Sequence, residues 1–178
     1  MLLAISPSCY QYKPPTKKGI ENMSYTKARI PTEVYHLTQK ENLDSILSDK
    51  RIRRFGDTEC WFCRDIPDML RYMEYTVLNE GAPYIGVGGK MMYYPKFEPS
   101  EHVLLKLTPQ KWEDKWYQWN QVVPQNASAE TKEQAAEFSS LKVGYRGDLR
   151  FSKCEVIELE PILAEYIDQD ESTPAMVM

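Results

Sequence analysis

From residue 32 onward apolar residues recur at two spacings, and the switches between them mark out the elements. Val34, Tyr35 and Leu37 read as a short strand; Leu43, Ile46 and Leu47 then follow at the i, i+3, i+4 spacing of one helix face over 40–48. Cys60-Trp61-Phe62-Cys63 reads as a second strand. Asp65-Ile66-Pro67-Asp68 opens a helix with proline in its first turn, and Met69, Leu70, Met73 and Val77 supply its buried stripe. Residues 83–90 read as a strand interrupted by Gly86, Gly88 and Gly89, 102–107 as a central strand, and 116–123 as an aromatic, β-branched one. A helix over 129–141 carries Thr131 and Gln134 at capping-box spacing, and strands at 149–151 and 155–159 complete a sheet. Two helices come early and most strands late, an order that predicts an α+β domain rather than a doubly wound sheet. That domain is expected over 32–167, between an extended or disordered lead-in at 1–31, with Pro7, Pro14 and Pro15, and a disordered acidic tail at 168–178.

Composition narrows this picture modestly. At 178 residues the chain fits one domain with its own core. The formal net charge of −4 argues against general attraction to phosphate backbones while allowing a local basic patch. Met1-Leu2-Leu3-Ala4-Ile5 is too short for the core of an export signal, and no run reaches the roughly 20 apolar residues that span a bilayer. Without export, Cys9, Cys60, Cys63 and Cys154 are expected to be reduced thiols in the cytoplasm.

Candidate chemistry concentrates at the first strand. There Tyr35-His36-Leu37-Thr38 ends on an imidazole and a hydroxyl just before a helix opens, which places two polar side chains at one sheet edge, where a nucleotide could be gripped. The competing reading of His36 is a satisfied histidine packed near Tyr35. Lys50-Arg51-Ile52-Arg53-Arg54 is the strongest positive cluster, either a solvated helix end or a phosphate clamp built from arginine forks. Ile85-Gly86-Val87-Gly88-Gly89-Lys90 is not a phosphate loop, because Met91 stands where Ser or Thr is needed. Cys60-x-x-Cys63 lacks further ligands at metal spacing and reads as structural, so no metal site is expected. Trp112, Trp116, Tyr117 and Trp119 lie among Lys111 and Lys115. Trp116 and Gln118 would share one face and Tyr117 and Trp119 the other, with a core role expected and a nucleobase or partner protein if one face is exposed.

Tyr35-His36-Leu37-Thr38, followed by Asn42-Leu43 and Ile46-Leu47, resembles the opening of the ADP-ribosyltransferase superfamily. The likeness is closest to the DNA-targeting bacterial toxins and the small phage and bacterial relatives of poly(ADP-ribose) polymerases. Cys60 to Tyr72 resembles the second strand and helix, and Gly144-Tyr145-Arg146-Gly147-Asp148-Leu149 with Cys154-Glu155-Val156-Ile157 the closing strand pair, so the likeness spreads over about 33–160. It implies an ADP-ribosyltransferase-like split β-sheet with a central NAD cleft and flanking helices. His36 and Thr38 would hold the NAD ribose or amide, Arg54 or Arg53 its phosphates, and Tyr72 or Tyr75 would stack on the nicotinamide. The acidic residue that the family carries just before an aromatic is absent, since Gly144-Tyr145 stands there, and the resemblance leaves Asp148 and then Glu155 as the catalytic carboxylate.

The activity so implied is NAD-dependent transfer of ADP-ribose to a nucleic acid or protein acceptor, with no membrane partner. Its first rival is a catalytically idle member of the fold that binds a nucleotide or a protein, for instance an inhibitor in phage–host conflict. The second is an RNA-processing enzyme of a related fold, which would need more arginine and histidine in its cleft.

Overall fold

A computed structural model describes residues 24–54, 58–86 and 90–171. Among these, eight strands form one antiparallel sheet in the order β1-β8-β9-β4-β2-β7-β10-β3, and β5 pairs with β6 in a separate hairpin. In chain order the strands are β1 (Tyr25–Lys27), β2 (Val34–Gln39), β3 (Arg51–Ile52), β4 (Glu59–Cys63), β5 (Pro83–Ile85), β6 (Met91–Tyr93), β7 (His102–Pro109), β8 (Trp116–Trp119), β9 (Lys142–Arg146) and β10 (Leu149–Glu158). The helices are α1 (Leu43–Asp49), α2 (Ile66–Tyr75), α3 (Ala129–Ser140) and α4 (Leu159–Glu171). The α+β class follows from this inventory.

Local chemistry fixes the element ends. Asp65 caps α2 by accepting from the Asp68 amide at 2.8 Å, and Pro67 sits in the first turn, where its missing N–H costs nothing. The cap of α3 is Ser128, which accepts from the Thr131 amide at 3.1 Å, so the helix begins ahead of the expected Thr131–Gln134 box. Helix α1 stops at Lys50, whose φ of 48° lies in the left-handed region, at roughly 1–2 kcal/mol for a residue with a Cβ. That turn sends the arginine segment straight into β3, which pairs with β10 at the sheet edge.

Register sorts the side chains onto two faces. Val34, His36 and Thr38 lie beside Leu107, Leu105 and Val103 of β7, while Tyr35 and Leu37 lie beside Lys106 and Leu104. Val34, Val103, Leu105 and Leu107 of the first set join Phe62, Val143, Trp116 and Tyr145 in one core, against which Leu43 and Ile46 of α1 pack. Beneath the opposite face Leu104 and Cys63 meet Met69, Leu70 and Met73 of α2 and Leu159 and Leu163 of α4. Each fully buried leucine here contributes about 1.5–3 kcal/mol.

Several elements differ from the sequence reading. The strand expected over 116–123 ends at Trp119, and Val122 is exposed. The two short strands at 149–151 and 155–159 are one, β10, with a bulge between Phe151 and Lys153 that resets its alternation. Leu159 opens α4 instead of closing a strand, and that helix takes in 168–171 of the expected tail. Tyr25–Lys27 of the expected lead-in pairs with β8; 1–23, 172–178 and the Val87-Gly88-Gly89 stretch lie outside the described residues.

Candidate functional site

Strand β2 has one edge zipped and one edge forked. Along β7 it is in register from Val34–Leu107 to Gln39–His102, but toward β4 the register holds only Tyr35 opposite Cys63. Beyond that point β2 runs on to Gln39 and β4 back to Glu59, and the strands part. The wedge between them opens into a cavity of about 700 Å³, whose walls include His36 and Thr38 from β2 and Glu59 to Cys63 from β4. Because it passes through the sheet, the cavity also takes Asn42 just ahead of α1, with Ser45 and Ile46 of α1, on one side and Met69 and Tyr72 from α2 on the other. Its volume lies within the roughly 300–1,000 Å³ of small-molecule sites.

His36 bridges the fork. Its Nδ1 lies 3.2 Å from the Trp61 carbonyl oxygen, and its ring stands 5.3 Å from that of Phe62. A carbonyl oxygen accepts only, so Nδ1 carries the proton and the neutral ring keeps Nε2 as an acceptor. Burial holds the imidazole pKa below its ordinary value, partly offset by the bond to Trp61. Thr38 is buried beside it on the same strand.

The basic segment forms the rim. Arg51, Arg53 and Arg54 all line the cavity. Arg53 pairs with Asp49 at 2.5 Å, and Arg51 lies 3.6 Å from Asp148 and 4.0 Å from Asp49. The Nε of Arg51 is buried without a hydrogen-bond partner, an orphan donor at the wall of a cavity.

Neither carboxylate expected from the resemblance lines this cavity. Asp148 sits in the β9–β10 turn beside Gly147, whose φ is +102°, and accepts from the Arg54 amide at 3.1 Å. Together with its pairing to Arg51, this makes it a clamp on the arginine segment. Glu155 is exposed and shares a row with Lys106 and Tyr35, so it points to the opposite face from the His36–Leu105–Val156 row. Of the two tyrosines, Tyr72 lines the cavity and stacks on Phe138 at 5.6 Å, whereas Tyr75 does not line it and donates its hydroxyl to Glu137.

The acid among the lining residues is Glu59, which sequence reasoning missed and which shares the Trp61–Cys63 face of β4, opposite to that of His36 and Phe62. It is 2% exposed and accepts from Arg146 at 3.0 and 3.1 Å, from Tyr25 at 3.4 Å and from the Thr58 hydroxyl. Its position explains Gly144, one strand over. A Cβ on Gly144 would meet the Trp61 ring at 2.9 and 3.2 Å and the Glu59 Cγ at 3.3 Å. The room that an acidic side chain would need at 144 is already filled by an indole and by the neighbouring strand's own carboxylate arm.

Lys142 was missed as well. Only 5% exposed, it holds its ammonium 4.2, 4.6, 4.7 and 5.6 Å from the ring centres of Phe138, Trp61, Trp119 and Tyr72. Cys63, opposite Lys142 in register, has its thiol pushed up to about 12 by burial, with the Asp68 charge adding and Lys142 only partly offsetting. An unreactive, structural thiol follows. Among the described residues no group of His, Cys, Asp and Glu could hold a metal ion. The alternation Glu59, Trp61, Cys63 was a signal available in the sequence for the first of these residues; nothing local marked a lysine between Leu141 and Val143 as part of a cavity wall.

No helix among the described residues is long and apolar enough to cross a membrane. No family model matches the chain, and neither a curated protein nor a solved structure matches it.

Proposed function

We propose that the chain is an ADP-ribosyltransferase-like protein whose forked sheet binds NAD and transfers its ADP-ribose to a nucleic acid or protein acceptor. The observation that carries this reading is one cavity through the β2–β4 fork, lined by an imidazole acceptor on one face of the sheet and by a buried glutamate whose strand position belongs to the other face. A split sheet with a central cleft is what the Tyr35-His36-Leu37-Thr38 resemblance implies, and the parting of β2 from β4 after one pair supports it. Three described cysteines are free thiols, in keeping with a cytoplasmic setting.

In this reading Nε2 of His36 accepts from a ribose hydroxyl, and the orphan Nε of Arg51, with Arg54, meets the diphosphate. Tyr72 offers a ring face to the nicotinamide. The glycosidic bond breaks with its electron pair leaving on the nicotinamide nitrogen, and positive charge grows on the ribose. Glu59 is the one carboxylate among the described residues lining the cavity, and in this reading its fixed negative charge stabilises that cation from the Trp61–Cys63 face of β4. A hydroxyl or amine of the acceptor then bonds the anomeric carbon and loses its proton. Asp148 serves this site through the arginine segment, and Glu155 takes no part in it.

One observation favours the idle rival, a nucleotide-binding inhibitor. The Glu59 carboxylate is already engaged by Arg146, Tyr25 and Thr58. Incubation with labelled NAD plus nucleic acid or protein separates the two readings. Labelled acceptor that falls at least 100-fold in Glu59→Gln, while calorimetric NAD affinity changes less than threefold, supports transfer; this corresponds to about 2.7 kcal/mol of transition-state stabilisation. NAD binding without turnover assigns the idle form. Absence of NAD binding to the intact protein sinks the transfer reading and leaves the idle form as a protein-binding module.

A further inference from the structure

A second hollow, of about 510 Å³, lies behind the cleft, between α3 and the end of β8. On α3 its wall is the stripe Lys132, Ala136, Ser139 and Ser140, where the small Ala136 leaves the dent open. Arg64, from the turn that leads into α2, lines it from another element. No residue lining it is acidic.

Its donors are fixed and only partly used. Arg64 gives Nη2 to the Gln118 Oε1 at 3.1 Å and Nη1 to the Ser140 carbonyl at 3.4 Å, two bonds from a group with five N–H donors. Gln118 is held in turn by giving its amide to the Lys142 carbonyl at 3.0 Å. Lys132 gives one of its three protons to the Gln125 carbonyl at 2.9 Å. Gln121 ties its backbone amide to the Ser139 hydroxyl at 2.8 Å, but its side-chain Nε2 is buried with no partner. Capping of α3 accounts for one bond of Arg64. It does not account for the buried, unpartnered Gln121 Nε2 in a hollow whose lining, among the described residues, holds two cations of separate elements and no acidic residue.

We infer that this hollow is a binding site for a phosphate group, carried on a small organic body such as a nucleotide. Guanidinium and ammonium supply charge, and the Gln121 amide supplies a neutral donor for a third oxygen or for the organic body. The volume exceeds what a lone phosphate fills. The site shares no lining residue with the cleft, so it stands or falls separately from the transfer reading.

The test is nitrogen-edited NMR on the full chain, following the Gln121 side-chain amide during titration with inorganic phosphate and with a nucleoside monophosphate. Both are expected to shift that amide saturably. A nucleotide at least tenfold tighter assigns the organic body to the site, and equal affinities assign free phosphate as the source of the same chemistry. Arg64→Gln with Lys132→Gln should weaken either ligand at least tenfold, while His36→Ala leaves both unchanged. Should the double variant lose its fold, Gln121→Glu, which puts a negative charge in the hollow, should abolish the binding by itself. A silent Gln121 amide, or affinities unmoved by these variants, overturns the inference.

Discussion

The two edges of β2 share one sequence and face different fates. Toward β7 each residue from Val34 to Gln39 has a cross-strand neighbour, and the side chains between them build a core that is dry at Leu104, Leu105 and Leu107. Toward β4 the pairing holds at Tyr35–Cys63 and then gives way to a cavity, bridged by the His36 ring and the Trp61 carbonyl. A zipped edge satisfies backbone groups with backbone groups and leaves nothing for a ligand. A forked edge hands that task to side chains and to whatever enters the wedge. The candidate site is made by a failure of pairing inside an otherwise continuous sheet.

Breaking the zipped edge should have the largest effect. Leu105→Ala removes a fully buried side chain between β2 and β10 and is expected to destabilise the fold by about 2–5 kcal/mol, read by urea denaturation. A loss below about 1 kcal/mol would mean that the zipped edge is not the structural spine.

Gly144 sharpens the forked side. Gly144→Ala forces a Cβ to 2.9 Å from the Trp61 ring, and overpacking of this kind costs about 1–3 kcal/mol. In a Trp61→Leu background the same change should cost markedly less, because the two sites share one space. Equal costs in both backgrounds, measured as midpoint shifts at constant slope, would show that the indole does not occupy the space at 144.

The smallest effect is the pH response of the bridge itself. Burial keeps the folded-state pKa of His36 below its ordinary 6.5, so the unfolded chain takes up this proton first as pH falls. Stability from this group is therefore complete above that value and declines as pH drops through and below it. Denaturant midpoints at about pH 7.5 and about pH 5.5 should differ less in His36→Gln than in the parent protein. An unchanged difference would place the imidazole in water rather than in the fork.

Much of the scaffold was legible in the chain. Asp65 with Pro67 announced α2, the Leu43–Ile46–Leu47 spacing announced α1, and 102–107 announced the central strand, because caps and periodicity act over a few residues. Even so, Leu47 is 38% exposed, which shows that spacing defines a face without saying how deep it is buried. The bulge after Phe151 and the continuation into α4 were not legible, since both depend on which neighbour the strand meets. Candidate groups fared in the same way. His36, Thr38, Arg54 and Tyr72 converge on one cavity, while Asp148, Glu155 and Tyr75 fall outside it.

By itself, then, the sequence determined the strand that carries His36, the helix that follows it and the arginine segment at its far end, all through short-range spacing and chemistry. Tertiary structure decided that β4 leaves β2 after one pair, that Glu59 supplies the acid in the cavity, and that Gly144 must stay bare beneath Trp61. Strand pairing is non-local, and a shift of one residue in register exchanges the faces of a whole strand. Which carboxylate lines the cavity is accordingly a property of the assembled sheet, written into no single stretch of the chain.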